Sequence, residues 1–232
     1  MKFYFAQLEK ESLIHKDKID HNAFKKAIKN KIMKTLSIVM ILLMITSCNS
    51  DDPVDPASLL PPITMTGENT FGCLIDGKFF RPRDGSGTFS NRDIGLNIRA
   101  TETANFEIDI RDYKSFRTSR LLIHLEDLFE LDEGLYQINE SNGQRGIDGN
   151  DNTYMHCSIW NERVQSYESY VSFENSGIVE VTKRQFIPQT SHIYSGTFRS
   201  KLVNISNVND TILIELGRFD IDAFTFESHI YD

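Results

Sequence analysis

The sequence predicts an all-β domain over residues 69–232, an antiparallel β-sandwich or flattened barrel of roughly ten strands. Three observations predict it. Apolar residues recur mostly with period two. Turn-forming residues separate the runs. No fixed-period repeat of solenoid or propeller type is present.

Period two places one strand face in a core and the other in water. Phe106, Ile108 and Ile110 alternate with Glu107, Asp109 and Arg111. Leu121, Ile123 and Leu125 alternate with Leu122, His124 and Glu126. Ile212, Ile214 and Leu216 alternate with Leu213, Glu215 and Gly217, and Ile178 opens the run Val179-Glu180-Val181-Thr182. Asp76-Gly77, between Cys73-Leu74-Ile75 and Lys78-Phe79-Phe80, is a two-residue hairpin signal. Glu174-Asn175-Ser176-Gly177 and Asn207-Val208-Asn209-Asp210 supply further breaks. Ser119 to Leu131 also fits a helical period. The reading adopted is strand to Leu125, then a turn from Glu126 to Glu133.

The 232-residue chain carries a formal net charge of -8, unevenly spread. Residues 1–47 hold nine Lys/Arg and four Asp/Glu, whereas residues 48–232 hold 16 and 29, a net of -13. So acidic a body repels nucleic acid, which is bound through clustered Lys and Arg.

Leu36 to Ile45 reads LSIVMILLMI, behind Lys29, Lys31 and Lys34. It is too short to span a bilayer and has the length of a signal-peptide apolar region. Thr46, Ser47 and Cys48 follow. Ile45-Thr46-Ser47-Cys48 resembles a bacterial lipobox, which implies cleavage before Cys48, a diacylglyceryl thioether on its sulfur and an acyl group on its new amine. Two or three chains anchor stably where one does not. Residues 33–47 are then the signal peptide. Residues 1–32 are read as an extension upstream of a start at Met33, with a weak helix over 22–32 if they are made. Four of the six prolines lie between Pro53 and Pro62, so residues 48–68 are expected to form an extended tether. Asp51-Asp52 behind the cysteine resembles the surface-export signal of Bacteroidota lipoproteins.

The resemblance extends into the domain. Leu60-Pro61-Pro62, Gly67, Asn69-Thr70-Phe71-Gly72-Cys73 and Asp76-Gly77-Lys78 resemble the opening of uncharacterised Bacteroidota (Flavobacteria-type) lipoproteins. Gly177-Ile178-Val179-Glu180-Val181-Thr182, Ser195-Gly196-Thr197-Phe198 and Gly217-Arg218-Phe219-Asp220-Ile221 resemble their closing strands. The likeness covers most of residues 59–222. It implies an outer-membrane location, periplasmic or surface-facing, and a compact β fold, and no activity.

Several constellations bear on chemistry. Cys73 shares a strand face with Phe71 and Ile75, and Cys157 one with Met155 and Ile159, so both thiols point inward. A disulfide across the 84-residue separation would stabilise by up to about 4–5 kcal/mol, and the alternative is two buried free thiols. Asp148, Asn150 and Asn152 have the alternate spacing of a Ca²⁺ loop, but Thr153 stands where its glycine belongs and Ile159 where its bidentate Glu belongs. They equally suit an ordinary turn. His124, His156, His192 and His229 form no metal-binding spacing, and no nucleophile elbow, phosphate loop or dinucleotide motif occurs. Tyr154, Trp160 and Tyr167, with Tyr170 and Phe173, suit either a sugar-stacking platform or cross-strand packing.

The leading expectation is a non-catalytic, lipid-anchored binding or structural domain without a cofactor, its partners the membrane and a glycan or envelope protein. A surface glycan hydrolase and an accessory subunit of an envelope transport or secretion assembly are the alternatives.

Overall fold

The computed structural model describes residues 29–34, 54–88, 92–100 and 104–231. The chain divides into two units, Met1–Pro53 and Val54–Asp232. Of the first, residues 29–34 are helical and exposed, overlapping the end of the helix expected over 22–32. The apolar leader and Cys48 lie outside the described residues. Among those described, no helix is long and apolar enough to cross a membrane.

The second unit is built on an antiparallel sheet of eleven strands. They are β1 (Thr70–Ile75), β2 (Lys78–Phe80), β3 (Leu96–Ala100), β4 (Phe106–Arg111), β5 (Arg120–Leu125), β6 (Gly134–Ile138), β7 (Tyr154–Asn161), β8 (Ser166–Val171), β9 (Gly177–Ile187), β10 (Ser191–Asn204) and β11 (Asn207–Asp222). One short helix, α1 (Leu128–Leu131), falls inside the segment read as a turn after Leu125. The lateral order is β2-β1-β11-β10-β8-β7-β5-β4-β3. The long strand β10 pairs with β9 along Ser191–Ser200 and with β8 only at Val203 and Asn204, and β6 adds to the outer side of β9. Beyond β2 the chain meets the end of β4: Arg83 N–H donates to Arg111 O and Tyr113 N–H to Arg83 O.

The local chemistry explains several joints. Asp76 and Gly77 both take left-handed φ, 47° and 71°, as the two-residue hairpin between β1 and β2 requires. The Asp76 carboxylate also accepts Leu213 N–H, tying this turn to β11. The β10–β11 turn sits at Ile205-Ser206, not at Asn207–Asp210, which belong to β11. The pairing register breaks there, between Val203 and Asn204, so the Asx-rich stretch marks an irregularity rather than the loop.

Alternation holds where one face is covered by the core. Phe71, Cys73, Ile108, Ile123, Met155, Cys157, Val179, Phe198, Ile214 and Phe219 all join one buried cluster. Leu216 departs from it. The register shifts between Phe198 and Ser200 opposite β11, Leu216 takes a φ of 50°, and its side chain turns out to solvent. Past this bulge, Phe219 and Ile221 resume the inward face. Phe198 packs on Gly217 and Phe219 on Gly196, where an added Cβ would meet ring carbons at 2.4 and 2.7 Å.

The stretch expected as tether is docked from Pro56 onward. Pro56–Leu59 form a 3-10 turn. Arg218 Nη1 donates to Pro61 O at 2.8 Å. Asp220, 1% exposed, accepts from Thr64 Oγ1 at 2.6 Å, Thr66 N at 3.1 Å, Gly67 N at 2.9 Å, Glu68 N at 3.2 Å and Ser195 Oγ at 2.6 Å. Asn69 closes the corner: its Oδ1 accepts Asp222 N–H and its Nδ2 donates to Thr225 Oγ1. Proline content signals extended chain, but five donors converging on one buried carboxylate hold this extended chain against the sheet. The Asn69–Cys73 and Gly217–Ile221 stretches are thereby neighbours, Thr70 lying opposite Asp220 and Phe71 opposite Phe219.

Candidate functional site

Two places gather polar chemistry. The first lies on the non-core face of β4, β5 and β7, where the register sets Glu107 beside His124 and His124 beside Tyr154. All three are buried. His124 Nδ1 lies 3.1 Å from Glu107 Oε1, and its Nε2 3.2 Å from Glu126 Oε2. The imidazole stacks on Tyr154 with centroids 4.4 Å apart. Gly146 N–H donates to Glu107 at 2.7 Å, closing the loop over the array. One strand position along, Asp109 holds Arg120 bidentately at 2.7 and 2.8 Å and Arg145 at 3.5 Å.

Both ring nitrogens of His124 thus face carboxylate oxygens. A neutral imidazole has a single N–H, so the array takes one further proton: a second on the ring, or one on Glu126 donated to Nε2. Burial would raise the Glu107 carboxyl, but hydrogen bonds from His124 and Gly146 outweigh it and hold the group below its usual value. Burial raises Glu126 against the lowering effect of its contact with His124, and Asp151 adds to that rise. Burial pushes neighbouring His156 down to about 4, helped by Arg120. Carboxylate–imidazole pairs are the stuff of acid–base catalysis, but the space beside this one, between Glu107, Asp109, Arg99 and Arg145, is about 10 Å³. That is about the least space that admits one water.

The second place is an open cleft of about 720 Å³, within the usual range of ligand sites. Leu59, Pro61, Phe79 and Ile230 form apolar wall, and Arg81, Arg83, Asp112, His229 and Tyr231 contribute polar groups. Arg83 is committed to Asp112 through two bonds of 2.6 Å. Arg81 is exposed and has no ion-pair or hydrogen-bond partner among the described residues. The His229 ring packs beside Tyr231 at 4.6 Å. This cleft is assembled from the docked N-terminal stretch, the β1–β2 hairpin, the turn after β4 and the C-terminal end.

Known proteins add nothing to this geometry. Comparison with protein-family models, curated proteins and solved structures finds no match.

The residues singled out in the sequence are dispersed. Cys73 and Cys157 are buried free thiols. They sit in β1 and β7, which β11, β10 and β8 separate along the sheet. Burial, and then Cys157, pushes the Cys73 thiol up, and burial followed by Asp76 does the same to Cys157. In the loop read for Ca²⁺, Asn150 Nδ2 donates to Glu140 O, and Asp148 O accepts from Asn142 Nδ2. These are turn braces. Among the described residues no group of three or more His, Cys, Asp or Glu could hold a metal ion.

The aromatic candidates do not form one platform. Tyr154 is fully buried. The Trp160 ring is covered by the Arg117 guanidinium at 3.9 Å and meets Tyr167 edge-on at 5.2 Å. Tyr167, at 47%, and Phe173, at 39%, are exposed, and Tyr167 lies beside an open groove of about 450 Å³ shared with Glu168 and Asn204. Sequence reasoning placed His124 on a strand but missed its partner. The available signal was that Glu107 and His124 sit at outward positions of successive strands.

Proposed function

We propose that the protein is a lipid-anchored envelope protein whose signal peptide, residues 33–47, is removed. Cys48 carries the lipid, and the β domain acts as a non-catalytic binding module at the outer membrane. One contrast carries the binding half of the reading: the strongest acid–base array is enclosed under a loop with room for one water, whereas the cleft of about 720 Å³ is open and lined by mixed apolar and cationic groups. An acid and base without access to a substrate serve stability, and a roomy cleft without such a pair suits recognition. The leader rests on the apolar run behind lysines and on Ile45-Thr46-Ser47-Cys48.

The fold proposed for the module is a flattened barrel. A sheet of eleven strands with one core cluster must curl upon itself to cover its apolar face. The parallel bridge of Arg83 with Asp112 joins the β2 end of the sheet to β4, in keeping with closure.

The test is metabolic labelling of producing cells with a clickable fatty acid. Wild type becomes labelled and membrane-bound, and Cys48→Ala loses both properties. Equal labelling of the two, or of neither, rejects the anchor.

A further inference from the structure

We propose that the cleft binds an anionic amphiphile drawn from the membrane, its phosphate or carboxylate head on Arg81 and its apolar part along Leu59, Phe79 and Ile230. The membrane source rests on the lipid-anchor reading. The cleft chemistry does not.

Charge is the first argument. Residues 48–232 carry a net of -13, yet among the described residues the Lys, Arg, Asp and Glu side chains lining this cleft are Arg81 and Arg83 against Asp112. Asp112 is already engaged by Arg83 through a planar, two-bond pair. That leaves the Arg81 guanidinium uncommitted, with a donor fork that matches phosphate or carboxylate oxygens. A locally cationic cleft on a strongly acidic body selects for anions and rejects most of the body's own kind of surface.

Exposure is the second. Leu59 is 51% and Ile230 65% exposed at the cleft wall. Apolar surface left open in a ligand-sized concavity is covered when an apolar body enters. Head and tail requirements together describe an amphiphile rather than a free inorganic anion.

Reach is the third. Leu59 and Pro61 line the cleft, and the described domain begins at Val54. The six chain steps from Cys48 to Val54 span at most about 20 Å. A lipid on Cys48 therefore keeps this part of the domain within a short distance of the headgroups.

The experiment uses lipidated protein purified in a neutral maltoside detergent, with its lipid verified by intact mass. Dihexanoyl phosphatidate is titrated against dihexanoyl phosphatidylcholine by calorimetry. We expect saturable binding of the phosphatidate, at least about tenfold tighter than the zwitterion. Arg81→Glu weakens it about tenfold or more, with unchanged melting temperature. Ile230→Asp weakens it too, which a purely ionic contact would not show. Equal binding of both lipids, or indifference to Arg81→Glu, overturns the proposal. A second arm compares nanodiscs of phosphatidylcholine with and without phosphatidylglycerol. Slowed hydrogen exchange over residues 79–83 and 229–231 only with the anionic lipid supports a membrane source. Phosphatidate binding without that protection overturns the membrane source. If Cys48 proves unlipidated while binding persists, the anchor reading fails and the cleft chemistry stands.

Discussion

Replacing Asp220 tests whether the segment before β1 is held by one carboxylate. Its Oδ2 accepts from Thr64 Oγ1, Thr66 N and Glu68 N, and its Oδ1 from Gly67 N and Ser195 Oγ. Hydrogen bonds to a charged group contribute about 1.5–3 kcal/mol each. The two hydroxyls can rotate toward other acceptors, so most of the loss falls on the three backbone N–H groups. Asp220→Ala should therefore cost about 3–5 kcal/mol, or roughly 10 °C in melting temperature. Asp220→Asn keeps an oxygen for the three-donor side but turns an NH₂ toward Gly67 N–H, and should cost about half as much. Burial would raise this carboxyl, but the hydroxyls of Ser195 and Thr64 and the Gly67 and Glu68 amides outweigh it and hold it low. A depressed acid stabilises above its unfolded value of about 3.9, and that contribution is lost as pH falls through the lower folded value. The Asp220 variants should thus differ most from wild type at neutral pH and converge with it in strong acid. Hydrogen exchange at Thr66, Gly67 and Glu68, alongside thermal melts of the full chain, reads the effect. A loss below about 1 kcal/mol, with those amides still protected, refutes the reasoning.

Three further outcomes follow from the packing. Gly196→Ala puts a Cβ 2.3 Å from the Glu180 carbonyl oxygen, an atom fixed in the β9–β10 ladder. It should destabilise by about 2–3 kcal/mol in denaturant titrations, and a neutral result would show that the ladder yields there. Glu107→Ala strips the partner from His124 Nδ1 and from Gly146 N–H. A cost of about 3 kcal/mol and faster exchange in residues 139–153 are expected, and unchanged exchange would mean the loop is held elsewhere. Cys73 and Cys157, buried with raised thiols, should resist a thiol reagent in native protein and both react once it is unfolded without reductant. Rapid native labelling, or no free thiol after unfolding, contradicts this.

Much of the sheet was legible because one-sided burial writes itself as alternation. Phe106-Ile108-Ile110 and Leu121-Ile123-Leu125 face the core as their spacing requires, and Asp76-Gly77 makes its hairpin. The other face was illegible. Leu122, His124 and Glu107 read as solvent positions, yet all three are buried, because the loop closing through Gly146 covers them. No period of two encodes a loop arriving from 39 residues away. Leu216 misled for a different reason: a single left-handed residue at a bulge reverses the faces. The docked Thr64–Glu68 stretch was hidden because hydrogen bonds to Asp220 hold it, and donor geometry leaves little trace in composition. The cleft draws on four separated stretches of chain, so its cationic lining emerges only when they are brought together.

Intact-mass analysis of protein extracted from membranes asks the most direct question of the account. A chain beginning at residue 48 and heavier by a diacylglyceryl group, with or without an added acyl chain, is the expected species. A mature chain that starts elsewhere, or one that starts there with an unmodified thiol, contradicts it.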